Sequence, residues 1–182
     1  AGEQIDAVLL DFAKAFDRVP HQRLYIKLQH YGIGGQLLSW ICSFFSGRSQ
    51  KVLVEGHHSA SASVTSGVPQ GTVLGPLLFL LYINDLPTKV RSITRLFADD
   101  SLLYKIIKTA EDTKALQRDL DALQVWERDW LMSFNPTKCE VLCITRKTKP
   151  IKAHYYNHGQ ALSTVKTGRY LGVTISDDLS WK

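Results

Sequence analysis

Two aspartates, Asp99 and Asp100, stand side by side directly after the short run Arg95-Leu96-Phe97-Ala98, and no other feature constrains the fold as much. Neighbouring residues on a strand point to opposite faces, so adjacent carboxylates converge only where the backbone turns. A tight hairpin at Asp99-Asp100 meets that condition. Phe97 lies on one arm and Leu102-Leu103-Tyr104-Lys105-Ile106 on the other, although the customary turn glycine is missing. A second run, Ala7-Val8-Leu9-Leu10, has the unbroken apolar character of a strand covered on both faces, and it ends at Asp11. Carboxylates within about 4 Å of one another repel by roughly 4 kcal/mol per pair at an effective dielectric of 20, so a three-carboxylate cluster calls for cations. Oxygen donors with few His or Cys neighbours point to magnesium, which is commonly held by one or two carboxylates plus substrate phosphates.

The rest of the chain supplies the elements such a site needs. Pro20 to Leu24 opens a helical pattern with Leu24, Leu28 and Tyr31 on one face, ending at Gly32, and a second helix is predicted from Gln36 to Phe45. Gln50–Glu55 and Ser61–Thr65 read as a hairpin around Gly56. Val73–Ile83 is almost wholly apolar and reads as a buried helix; interrupted by Gly75-Pro76, it cannot span the roughly 30 Å hydrocarbon layer. Leu116, Leu120, Leu123, Trp126 and Trp130 form the apolar stripe of an amphipathic helix expected to lie on the sheet. Strands are predicted at Glu140–Ile144 and Tyr170–Ile175. This order fits an α+β fold, a mostly antiparallel sheet with helices packed on one face.

Composition agrees with one globular domain: 182 residues, 45% hydrophobic and 21% charged. A net charge of +5 and a pI near 9.1 suit a polyanionic partner, as well as plain solubility. Three cysteines without a dense framework favour a reducing compartment. The chain does not begin with Met and contains only Met132, so a piece of a longer polypeptide is expected.

Four blocks, Leu10-Asp11-Phe12-Ala13-Lys14-Ala15-Phe16-Asp17, Ser66-Gly67-Val68-Pro69-Gln70-Gly71, Leu86-Pro87 and Phe97-Ala98-Asp99-Asp100, occur in this order. Together they resemble the reverse transcriptases of non-LTR, LINE-type retrotransposons, over nearly the whole chain. The resemblance implies a polymerase palm with part of the fingers at about 20–66. The implied activity is RNA-directed DNA polymerisation, a nucleotidyl transfer that adds deoxynucleoside triphosphates to a DNA primer on an RNA template. Two Mg²⁺ ions, or Mn²⁺ as a substitute, would serve it. The resemblance makes Asp11 and Asp99 the ligands that bridge the metals, places Asp100 on the hydroxyl side, and adds the backbone carbonyl of Phe12. It sets Phe16 beneath the incoming sugar, Gln70 and Gly71 at the nucleotide, Lys138 near the leaving pyrophosphate, and Tyr170, Leu171 and Gly172 at the primer end. It implies an intracellular location, in the nucleus or a cytoplasmic ribonucleoprotein, and no membrane. Fingers segments upstream of Asp11 and a thumb after Tyr170 are expected to be absent here, which leaves activity of the isolated chain open.

Each of these residues also has a structural reading. Phe16 can be core, Lys138 a solvated cation, and Tyr170–Val173 a core strand with glycine at a close contact. Asp17, just before Val19-Pro20, reads as the cap or start of the next helix and stays outside the metal set. Arg146, Lys147, Lys149 and Lys152 could track a phosphate backbone or form a solvent-facing basic loop. A rival constellation is the zinc-like spacing of Cys139, Cys143, His154 and His158, which would make the chain an interaction module. Strand residues four apart are about 13 Å apart, whereas two thiolates on one zinc sit at most about 4.6 Å apart. A third alternative is a catalytically silent remnant that binds nucleic acid through its charge.

Overall fold

The apolar run that ends at Asp11 becomes β1 (Gln4–Asp11), and Val8 at its centre is completely buried. The structure is a computed structural model describing residues 2–180; Ala1, Trp181 and Lys182 lie outside the described residues. After Ala13 the chain enters a separate compact unit, Lys14–Ile83, and from Asn84 it rejoins the unit that holds β1.

The Lys14–Ile83 unit contains α1 (Ala15–Arg18), α2 (His21–His30), α3 (Gly35–Phe45), the short strands β2 (Ser49–Gln50), β3 (Leu53–Val54), β4 (His57–His58) and β5 (Ala62–Ser63), and α4 (Leu74–Ile83). β2 pairs with β5 and β3 with β4, which is the predicted hairpin in nested form. Leu24 and Leu28 of α2 are fully buried, while Tyr31 lies past the helix and is exposed. The buried-helix reading of Val73–Ile83 needs correction. Leu78, Phe79, Tyr82 and Ile83 are buried, but Leu77 and Leu80 are about half exposed and Val73 is 92% exposed. An all-apolar segment carries no periodicity, so its sequence could not show that only one face is covered.

The other unit continues with a 3₁₀ turn (Leu86–Lys89), β6 (Ile93–Phe97), β7 (Asp100–Ile106), α5 (Ala110–Trp130), β8 (Glu140–Thr145), β9 (Tyr156–Asn157), β10 (Gln160–Ala161), β11 (Ser163–Val165), β12 (Thr167–Tyr170) and β13 (Val173–Ser176). Its five-stranded sheet has the order β11-β8-β1-β7-β6, antiparallel except where β11 runs parallel to β8. This is the α+β architecture expected. α5 starts at a Thr109–Asp112 capping box and buries Leu116, Leu120, Leu123 and Trp126. The buried Asp119 carboxylate accepts the Arg91 and Ser92 amides at 3.0 and 2.8 Å, which ties α5 to the start of β6. The β12–β13 hairpin approaches β1 so closely that a Cβ on Gly168 would lie 2.6 Å from a Leu9 methyl.

Two turns differ from expectation. The hairpin turn is Ala98-Asp99, because Phe97 pairs with Asp100 and Asp100 is already the first residue of β7. Ala98 adopts φ 51°, taking the left-handed conformation that the missing glycine would have accepted without strain. Tyr170–Ile175 is not one strand. It folds back at Leu171-Gly172, with φ of 51° and 78°, so that Tyr170 pairs with Val173.

Candidate active site

Asp11 closes β1 and Asp100 opens β7, and the two are direct partners in the antiparallel ladder. Residues directly opposite in such a ladder share a face, with Cβ atoms about 4.5–5.5 Å apart. Asp99 follows on the adjoining turn. The Asp100 carboxyl is held above the ordinary aspartate range, first by burial and then by the negative charges of Asp99 and Asp11. The charges of Asp99 and Asp11 thus both bear on Asp100. Among the described residues, however, no three His, Cys, Asp or Glu side chains are drawn together closely enough to hold a metal ion. The arrangement is an opposed pair with a third acid beside it. As a donor set it fits a hard divalent cation in kind: only oxygen ligands, and a repulsion that a cation would relieve.

Asp11, Asp100, Thr137, Lys138, Arg169 and Tyr170 line a cavity of about 340 Å³. Lys138 Nζ lies 3.6 Å from Asp11 Oδ1, with both side chains substantially exposed. In that setting the pair contributes at most about 1 kcal/mol, so it reports position more than stability. Lys138 is placed by the segment between α5 and β8, which runs along the end of β1. Ala13 N–H donates to Ser133 O at 2.8 Å, Asn135 N–H donates to Asp11 O at 2.7 Å, and the Phe12 ring stacks on Phe134 at 4.3 Å. Asn135 Oδ1 then accepts the Thr137 hydroxyl at 2.8 Å, turning the chain so that Lys138 points back to Asp11. Phe12 is buried, 4% exposed, and bridges to Phe134. Burial, and then Asp100, raise the Tyr170 phenol, with Arg95 opposing; Leu171 is exposed at the hairpin tip.

The remaining expected site residues belong to the Lys14–Ile83 unit. Phe16 is half buried and stacks on Phe79 at 4.5 Å. Gln70 is exposed and donates through Nε2 to Asp17 Oδ1 at 3.3 Å; Asp17 lies within α1, and the N-cap position of α2 is Pro20, so Asp17 enters a helix but caps none. Gly71 has φ 77° with open space where a side chain would stand. Their loop is fastened to the α1–α2 junction: Gly67 N–H donates to Val19 O at 2.8 Å, Val68 N–H to Phe16 O at 2.7 Å, and the buried His21 ring to Gly67 O at 2.8 Å. Within this unit a cavity of about 560 Å³ is lined by Lys14, Asp17, Arg48, Gln50, Pro69 and Gln70.

The zinc-like set is not assembled. Cys139 is buried at the Asp11 end of β8, Cys143 pairs across to Asp6, and His158 Nε2 lies 2.9 Å from Glu127 Oε2. Burial pushes the Cys139 thiol up to about 11; burial and then Asp6 push the Cys143 thiol up to about 12. Both are therefore held as neutral thiols near neutrality in this fold. Accordingly, iodoacetamide at pH 8 should leave Cys139 and Cys143 unmodified by peptide mass spectrometry until the chain is unfolded. Rapid labelling of either in the native chain would contradict this arrangement.

Sequence reasoning missed His21, Thr137 and Arg169. His21 follows Pro20 at a helix start, where an exposed polar residue is ordinary, and its carbonyl partner is 46 residues away. Arg169 precedes the turn that was read as strand.

Comparison with known proteins agrees with the geometry. Residues 3–175 match the reverse transcriptase (RNA-dependent DNA polymerase) family. The chain is 34% identical over 190 residues to the RNA-directed DNA polymerase from mobile element jockey of Drosophila funebris, covering 99% of the chain and 20% of that protein. It is 32% identical to the probable RNA-directed DNA polymerase from transposon BS of Drosophila melanogaster, covering 98% of the chain and 21% of the relative. It thus spans about a fifth of the length of these curated relatives. In fold it resembles an apo telomerase from Candida tropicalis truncated from its C-terminal domain, with a TM-score of 0.64 at 12% identity, over 97% of this chain and 35% of that one. An opposed Asp11–Asp100 pair with Asp99 at its side, on a palm-like sheet, is thus found in a chain that belongs to the reverse transcriptase family.

Proposed function

We propose that this chain carries the catalytic palm of a non-LTR-type RNA-directed DNA polymerase, with the Lys14–Ile83 unit supplying part of the fingers. The observation that carries the reading is the register of Asp11 opposite Asp100, both lining a cavity with Lys138 and Arg169, and with Asp99 on the turn beside Asp100. Members of the family work with divalent metal ions on a nucleic-acid template and primer. Magnesium would be held here by Asp11, Asp99, Asp100 and the Phe12 carbonyl, where it would ease loss of the primer hydroxyl proton and neutralise charge developing on the phosphates.

The protein's own groups do the rest. Lys138, an ammonium beside Asp11, supplies positive charge or a proton to the departing pyrophosphate. The exposed tip at Leu171-Gly172 and the Tyr170 phenol support the primer end. Gln70, with an amide that both donates and accepts, and Gly71, without a side chain, meet the incoming nucleotide.

Phe16, held flat against Phe79, is the group that would exclude a ribose 2′-hydroxyl. Phe16→Val should raise incorporation of ribonucleotides relative to deoxynucleotides by about tenfold or more, the scale of discrimination a filled pocket supplies. Competitive incorporation on an RNA template measures it, and unchanged sugar selectivity removes the role. The function itself is tested by extension of a DNA primer on RNA with Mg²⁺, in the longest natural polypeptide that carries this chain. Template-directed products that vanish on chelation are expected. Nucleic-acid binding without extension would mark a silent remnant instead.

A further inference from the structure

α5 buries two acids, Asp119, which is tied to the start of β6, and Glu127. Glu127 lies four residues after Leu123, its side chain is 2% exposed, and burial raises its carboxyl above the ordinary glutamate range. A charge taken out of water is tolerated only when it is hydrogen-bonded on most sides, so its partners indicate its purpose. One oxygen, Oε1, accepts the Phe134 amide. The other, Oε2, lies 2.9 Å from His158 Nε2, in the turn between β9 and β10. Phe134 belongs to the strap that bridges to Phe12, donates from Asn135 to the Asp11 carbonyl and ends with Lys138 at the Asp11 carboxylate. The Cys139 thiol, at the end of the strap, feels the charges of both Asp11 and Glu127.

We propose that Glu127 is a positioning residue for nucleotidyl transfer: its buried carboxylate, braced by His158, clamps the strap so that Lys138 is held at the Asp11 end of the sheet. This rests on the polymerase reading above. Glu127 touches no reacting group; it acts through Lys138. The main-chain bonds from Ala13 N–H to Ser133 O and from Asn135 N–H to Asp11 O fix where the strap lies, and the Glu127–Phe134 bond fixes its stem to α5.

The test uses Glu127→Ala, Glu127→Gln and Lys138→Ala in the longest natural polypeptide carrying the chain, read by primer extension on RNA. E127A should lower kcat by about a hundredfold, the scale of a small misplacement of a reacting group, with little change in KM for the nucleotide. E127Q keeps an oxygen for the Phe134 amide and should stay within about threefold of wild type. If Glu127 works through Lys138, E127A adds nothing once Lys138 is already Ala. Amide exchange in this chain gives a second readout: E127A should speed exchange over 132–138 and leave β1 and β7 protected, and E127Q should not. Where E127A fails to fold, His158→Ala, on the half-exposed partner, should still give a partial loss of kcat that Lys138→Ala masks. Additive losses, or unchanged strap exchange in E127A, would overturn the positioning role alone. A wild-type protein that extends no primer would overturn the polymerase reading and this role with it.

Discussion

Asp99→Asn should abolish primer extension, reducing the rate by at least about a thousandfold, with folding intact. Charge stabilisation by bound metal is worth several kcal/mol, and each 1.4 kcal/mol or so is a factor of ten in rate. Asn keeps the shape of the side chain and removes the charge that would hold the ions. Asp99 sits on an exposed turn, so nothing in the core depends on it. Asp11→Asn should be as severe. Asp100→Asn should cost less, because Asp100 is assigned to one metal only. Single-turnover extension on an RNA template, with circular dichroism to confirm folding, separates these outcomes. Retained activity in Asp99→Asn would remove it from the metal set.

Gly67→Ala should unfold the Lys14–Ile83 unit more than any surface change. Gly67 has φ 89°, and a Cβ there would stand 2.8–3.0 Å from the main chain of Asp17. Backbone cannot swing aside as a flexible side chain can. The strained conformation alone costs about 1–3 kcal/mol, and the clash breaks the Gly67–Val19 and Gly67–His21 bonds that seat the Pro69-Gln70-Gly71 loop. A total of about 2–4 kcal/mol places it among the severe point substitutions. Thermal unfolding should drop by about 2–4 °C for each kcal/mol lost in a chain of this size. Gly71→Ala is the control, since its φ is also positive but no neighbour stands nearby. Equal melting of the two variants would show that strain, and not the Asp17 contact, decides the effect.

Much of the sheet was legible because its signals are local. Val8 and Leu10 lie in an unbroken apolar run, and a run of that kind has one comfortable place, between two covered faces. The α5 stripe was legible from spacing. What stayed hidden depends on partners remote in sequence or on backbone strain. Ala98 in a left-handed turn cannot be read from an alanine, so the hairpin came out one residue late. The Leu171-Gly172 turn looked like strand because β-rich residues flank it on both sides. Glu127 lies beside the visible stripe, yet an acid next to apolar positions gives no hint that a strap amide and a histidine await it. The pairing of the strand that ends at Asp11 with the strand that begins at Asp100 was the most legible part of this region, since both are apolar runs with an acid at the adjoining ends.

The most direct measurement is paramagnetic resonance of Mn²⁺ titrated into the protein with primer, RNA template and a deoxynucleoside triphosphate. The wild-type chain should immobilise ions that Asp11→Asn combined with Asp100→Asn leaves free in solution. Identical Mn²⁺ binding by the two proteins would contradict the claim that these acids hold the metals.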